Sequence, residues 1–327
     1  MISQTRKRTV VLLSGGALLL CLLGWQVIGA DESNPHANFW RVVRHGIPGF
    51  TMVSSQGHKV LITNSGENWR EVRNSPVMRG AQVIPGLALV AMLLFYLFVG
   101  RDKLEKPRTG VRIERFSLGE RVLHWYTAIM FIIMAITGLS LLLGRLALIP
   151  IFGHPVVSGY LAGAKVLHNY CGPLLLIGIL LMAFIWVRYN IPRKTDLQWL
   201  KNMGGMIGHG PRPAAGKMNG GEKGWFWLMV IFGIAVGVTG VVLDFPIWGQ
   251  ARFTMQLSHV IHAVAAVLFV TTSFGHIYTG TIGAEGVFEA MWTGSVDTAW
   301  AEQHANLWLE EKMHEAGPTL KPDTSQG

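Results

Sequence analysis

Long apolar runs alternate along the chain with short, mostly basic connections, a pattern that predicts membrane-crossing helices. The apolar stretches lie at about 10–28, 83–100, 124–146, 167–187, 225–243 and 258–282. Each is close to the roughly 20 residues an α-helix needs to cross a hydrocarbon layer about 30 Å thick. The first follows Arg6, Lys7 and Arg8 and ends at Gly29-Ala30, before the polar Asp31-Glu32-Ser33. A basic start, an apolar core and a small-residue exit fit a signal peptide cleaved near Ala30, the favoured reading; the stretch is also long enough to stay as an anchor. Residues 31–82 are polar, with Gly49, Gly57 and Gly66 between short β-branched runs such as Lys59–Thr63. They read as a small extracytoplasmic lobe with a hairpin, whose Trp40, Trp69 and Arg70 pack on a partner.

Loop charge sets the orientation. The 101–121 connection carries Arg101, Lys103, Lys106, Arg108, Arg112, Arg115 and Arg121, and 188–223 carries Arg188, Arg193, Lys194, Lys201, Arg212, Lys217 and Lys223. The connections between them, 147–166 and 244–257, hold little more than Lys165 and Arg252. The positive-inside rule puts the basic loops in the cytoplasm, residues 31–82 outside and the tail from 283 inside. That tail reads as a helix end followed by a flexible terminus. The predicted fold is therefore all-α and integral to the membrane: a four-helix transmembrane bundle over 124–282, an extra N-terminal span at 83–100, a basic loop at 101–123 and a small outer lobe at 31–82.

Composition narrows the function. Of 327 residues, 50% are hydrophobic and only 14% charged, against about 25% charged in soluble domains. A net charge of +9 would suggest nucleic acid in a soluble protein, but here the cations lie between spans, where topology accounts for them. The two cysteines, Cys21 and Cys171, both fall in apolar segments without a C-x-x-C. This excludes an all-cysteine iron-sulfur cluster and covalent haem attachment within the chain, so any haem is held noncovalently, as b-type haem is.

Histidines carry the candidate chemistry. His262 and His276 lie fourteen residues apart in one apolar segment, which separates them by about 21 Å along a helix and only about 40° around it. They sit at opposite membrane levels, and each needs a second ligand from another helix. His124 opens the second span on the inner side and His168 the third on the outer side, so depths match as His124 with His276 and His168 with His262. Two depth-matched imidazole pairs are what two six-coordinate haems in a helical bundle require. A lone membrane histidine serves hydrogen bonding or proton relay equally well; the pairing favours ligation. His259, one turn before His262, is the rival outer ligand but lies near 100° off the face of His276. His36, His45, His58, His154, His209, His304 and His314 lie in polar segments and read as solvated. Gly138, Gly172, Gly233, Gly237 and Gly240 allow close approach of a helix or of a flat macrocycle. Arg115 and Arg121 suit haem propionates or simply mark topology, and Asn219-Gly220-Gly221 reads as a flexible turn or a ligand site.

The runs E-R-F-S-L-G-E-R-V-L-H-W (114–125), K-V-L-H-N-Y (165–170), R-Y-N-I-P (188–192), K-M-N-G-G-E-K (217–223), I-H-A-V-A-A and G-H-I-Y resemble the cytochrome b (gamma) subunit of respiratory formate dehydrogenase. The likeness covers about 112–300, and the part before about 110 resembles the longer form of that subunit. It implies a four-helix cytochrome b related to the cytochrome b subunits of nickel-iron hydrogenases, with two haems b. His124 and His276 would hold the cytoplasmic-side haem, and His168 and His262 the periplasmic-side one. A quinone, menaquinone or ubiquinone, would bind near the inner haem against Asn219, Gly221 and His276; Gly220 makes that turn looser. The resemblance further implies a bacterial inner-membrane location, with a molybdenum or tungsten catalytic subunit and an iron-sulfur subunit as partners. Formate oxidation would not be carried by this chain. A cytochrome b anchor for hydrogenase or a thiosulfate-type reductase is the alternative, and a haem-free anchor or transporter a distant one.

Overall fold

The computed structural model describes residues 64–206 and 212–316. The expected leader, most of the stretch read as an outer lobe with the expected hairpin at Lys59–Thr63, Trp40, His36, His45, His58, His209 and the end of the tail lie outside the described residues. The fold is helical, and among the described residues five helices are long and apolar enough to cross a membrane: Asn68–Phe98, Leu118–Ala147, His154–Tyr189, Gly220–Asp244 and Arg252–Gly283. Large apolar side chains stay exposed along them, with Phe98 85% and Phe184 82% exposed. Such faces suit lipid, since helices satisfy their own backbone hydrogen bonds.

We number the helices in chain order: α1 is Asn64–Val72 and α2 Met78–Phe98, joined by a π-helical turn at Arg73–Val77. Pro76 sits inside that turn; its missing N–H and its ring favour a widened turn over a regular one. Next come β1 (Arg112–Glu114), α3 (Leu118–Ala147), a short turn of helix at Ile149–Phe152 and α4 (His154–Trp186). They are followed by α5 (Lys194–Lys201), α6 (Gly220–Asp244) and α7 (Arg252–Tyr278). The chain finishes with α8 (Val287–Trp292), β2 (Ser295–Asp297), α9 (Thr298–His304) and α10 (Asn306–Ala316).

Helix ends depart from the apolar limits. The first span is helical from Asn64, well before 83, and α4 starts at His154 rather than near 167. Hydropathy reports where side chains leave water, whereas helix continues through polar positions such as Arg70, Glu71 and Lys165 that its backbone tolerates. His168 thus lies fourteen residues into α4 instead of opening it.

The residues fall into two compact units that draw segments from the same long helices. One comprises the chain up to Val90, Ile133–Pro173 and Ala235–Thr271. Its buried side chains are mostly small, among them Ala81, Val157, Ala164, Cys171, Ala263 and Val267, as close helix packing in lipid requires. The other comprises Ala91–Ile132, Leu174–Ile234 and the chain from Thr272. Its core is heavier, with Ile179, Trp186, Phe226, Met229 and Trp300 buried. A Cβ on Gly233 would stand 2.6 Å from Ile179 Cδ1, so glycine lets the Ile179 side chain pack directly on this helix.

From 284 to 316 the chain is more ordered than its polarity suggests. β2 pairs antiparallel with β1, placing Ile113 opposite Val296, both buried. Gly294, at φ +91°, brings its backbone within reach of Phe116, whose N–H it accepts at 3.0 Å. The Asp297 carboxylate caps α9 through Ala299 N–H at 2.8 Å and accepts Thr109 N–H at 3.1 Å and Gly110 N–H at 2.9 Å. Burial alone would raise the Asp297 pKa; these donors outweigh it and hold the carboxyl below its ordinary value. The bonds join residues about 190 positions apart, which no local pattern announces.

Candidate functional site

In the first unit His168 on α4 faces His262 on α7, ring centres 6.2 Å apart and planes at 73°. In the second unit His124 on α3 faces His276 on α7, again at 6.2 Å, with planes at 61°. His262 and His276 both belong to the unbroken α7. His259 does not face His168; its ring meets Trp69 edge-on at 5.7 Å.

The His168–His262 pair is held by a device that recurs. Thr137 Oγ1 lies 2.8 Å from His168 Nδ1, and Thr239 Oγ1 lies 3.1 Å from His262 Nδ1. Each hydroxyl has one proton and gives it to its own helix, Thr137 to Ile133 O at 2.7 Å and Thr239 to Ala235 O at 2.5 Å. Toward the imidazole each oxygen therefore accepts, which fixes both histidines as Nδ1–H tautomers and leaves the Nε2 lone pairs for a metal. The following residues complete the device: a Cβ on Gly138 would lie 3.0 Å from His168 Cε1, and one on Gly240 3.3 Å from His262 Cε1. Glycine lets each ring lie against the helix that orients it. Sequence reasoning noted the glycines but missed the threonines, although a Thr-Gly step inside two apolar spans was there to be read.

Aromatic packing positions the second pair. His276 stacks on Trp225 with ring centres 4.7 Å apart and planes 8° off parallel, and His124 meets Trp125 edge-on at 5.3 Å. The His124 Nδ1 is buried without a hydrogen-bond partner among the described residues.

Both pairs pass a test of fit for an axially ligated metal. With metal–nitrogen bonds of about 2 Å and each nitrogen about 1.2 Å from its ring centre, a linear pair holds its centres about 6.4 Å apart, against 6.2 Å in each pair here. Among the described residues no group of three or more His, Cys, Asp or Glu gathers to hold a bare ion. Two imidazoles suit a metal that brings its remaining ligands with it, as haem iron does.

Asn219 opens α6 in a reciprocal cap. Its Oδ1 accepts the Gly221 and Glu222 N–H groups, both at 3.0 Å, while Glu222 accepts the Asn219 N–H at 3.0 Å. Cβ atoms on Gly220 and Gly221 would meet Trp199 at 3.1 and 2.6 Å. The Asn-Gly-Gly segment is thus a packed helix start, not the loose, flexible turn its glycines suggest. Asn219 spends only its oxygen there, and Trp225 of the same helix stacks on His276.

Arg115 is 4% exposed, donates to Glu222 at 2.8 Å and to Lys217 O at 2.6 Å, and so ties the loop before α3 to the start of α6. Arg121 donates to Trp292 O at 2.7 Å. Gly172 and Gly233 face Met134 and Ile179, serving helix packing. His154 and His314 are exposed, as expected. His304 is not solvated: it packs against Trp300 at 5.1 Å with Nε2 buried and unpaired among the described residues, and burial pushes its pKa down to about 4.

Apolar spanning helices with facing imidazole pairs define a membrane protein of the cytochrome b class. The model of the family described as prokaryotic cytochrome b561 matches residues 115–294, and the chain belongs to that family. It is 31% identical over 206 residues to the cytochrome b556(fdo) subunit of formate dehydrogenase from Escherichia coli strain K12, covering 61% of this chain and 92% of that one. It is 30% identical over 205 residues to the nitrate-inducible cytochrome b556(Fdn) subunit of the same strain, covering 61% and 91%. With the formate dehydrogenase cytochrome b556 subunit of Haemophilus influenzae it shares 26% identity over 211 residues, covering 62% and 84%.

Proposed function

We propose that this chain is the cytochrome b subunit of a respiratory formate dehydrogenase of the bacterial inner membrane. In this reading it anchors a periplasmic formate-oxidising subunit and an iron-sulfur subunit, and links them electrically to a quinone at the cytoplasmic side. Residues 31–82 are then periplasmic and the C-terminus cytoplasmic. The observation that carries the reading is the pair of facing imidazole sets at one shared spacing of 6.2 Å, in a chain similar to formate dehydrogenase cytochrome b556 subunits.

His168 and His262 hold one haem b and His124 and His276 the other, and haem so bound supplies one-electron transfer at its iron. Thr137 and Thr239 keep the outer imidazoles in the ligating tautomer, and accepting from Nδ1–H raises their basicity. Trp225 fixes the plane of His276. Asn219 keeps its amide Nδ2 for a quinone carbonyl beside Gly221 and His276, its Oδ1 being committed to the helix cap. Charge moved inward across the membrane is worth about 2.3 kcal/mol per 100 mV, so quinone protonation from the cytoplasm makes the traffic electrogenic. Purification through a tag on this chain tests the partner: molybdenum- or tungsten-containing and iron-sulfur subunits are expected, and a nickel-iron subunit in their place would reject the assignment.

A further inference from the structure

The span that precedes the family-matched region begins with buried donors that lack partners among the described residues. Trp69 on α1 and Arg73, which begins the π-helical turn, each bury a donor, Nε1 and Nε, without a partner among the described residues; the same holds for His259 Nδ1 on α7. The three are neighbours: the Trp69 ring meets His259 at 5.7 Å, and Arg73 follows Trp69 by four residues along continuous helix, a spacing that puts both on one face. Of the Arg73 guanidinium, one bond is satisfied, from Nη1 to Asn74 Oδ1 at 3.0 Å. All three lie in the same compact unit as His168 and His262, and His259 is one helical turn from His262, where side chains three apart are neighbours.

A buried N–H without an acceptor costs free energy, and two of them on neighbouring side chains, one a cation, beside an imidazole nitrogen able to donate, call for an anionic acceptor. Haem b carries its own pair of carboxylates, the propionates, at the edge of the ring. We propose that Trp69, Arg73 and His259 form a socket for a propionate of the haem held by His168 and His262. The extra N-terminal span, outside the family-matched residues 115–294, thereby becomes a clamp on that haem. His259 in this scheme is a second-layer partner and not an iron ligand, which agrees with its turn away from His168. The inference rests on the haem ligation proposed above.

An optical redox titration of the purified full chain, with resonance Raman of the propionate bending modes, tests it. Arg73→Gln removes a cation that favours the reduced, less positive haem. The reduction equilibrium of one haem should weaken about tenfold, a fall of about 59 mV for a one-electron couple, with its propionate band shifted and the other haem unmoved. Trp69→Phe and His259→Gln should move the same band and the same haem by less, with two haems still bound, which guards against a variant that merely misfolds. Two haems in the wild type with neither band nor potential changed in any variant would overturn the socket and leave the ligation standing. An equal shift of both haems also overturns it, and a wild-type chain without haem overturns both.

Discussion

Replacing Thr137 by valine tests how the His168 imidazole is held. The side chain keeps its shape and loses the oxygen that stands 2.8 Å from His168 Nδ1. His168 is then left with a buried N–H and no acceptor, a cost of about 1–3 kcal/mol. Loss of a partner behind a metal-bound histidine typically costs about 10–100-fold in affinity, or about 1.4–2.8 kcal/mol at 1.4 kcal/mol per decade, so the two routes agree. Haem transfer from the purified chain to an excess of haem-free globin measures it. Thr137→Val should weaken one of two haems by about 10–100-fold and spare the other, and Thr137→Ser should restore it. Thr239→Val should weaken the same haem through His262. A valine variant holding both haems as tightly as the wild type would refute the tautomer argument.

Three further outcomes are expected. Gly233→Ala, whose Cβ would lie 2.6 Å from Ile179 Cδ1, should lower stability by about 1–3 kcal/mol through overpacking, seen as a lower thermal midpoint in detergent with haem content intact. Asn219→Ala should cost about 0.5–2 kcal/mol of helix capping, whereas Asn219→Asp should keep the cap and lose the amide donor. Quinone reduction rates should then fall in both variants while only the alanine variant loses stability. His304, held down to about 4 by burial, takes up protons more readily unfolded, at about 6.5. The 284–316 segment should therefore lose stability as pH falls from about 6.5 toward about 4, read as proteolytic nicking that His304→Phe makes less pH-dependent.

The spanning helices were legible because a run of apolar residues means one thing in a chain so poor in charge. Their histidines were legible because helical period converts a spacing of fourteen into a shared face. Helix ends were not: the polar turns at Asn64–Arg79 and His154–Lys165 are helical without being apolar. The choice of His262 over His259 as the partner of His168 followed from angle alone, and the structure places the rings accordingly. What escaped was whatever depends on partners distant in sequence. Thr137 and Thr239 looked like filler in apolar spans until their hydroxyls met imidazoles. Asp297 looked like part of a polar tail until β1 and its flanking loop supplied the other half of its contacts. Asn219-Gly-Gly read as loose because glycine's freedom is visible in sequence and the Trp199 ring that needs its bareness is not.

Iron between paired imidazoles is measured directly by a pyridine haemochrome count on the purified chain and its single alanine variants. The wild type should carry two haems b per chain, and substitution at His124, His168, His262 or His276 should each remove one, while His259→Ala keeps both. No haem in the wild type, or two haems surviving His262→Ala, would contradict the account.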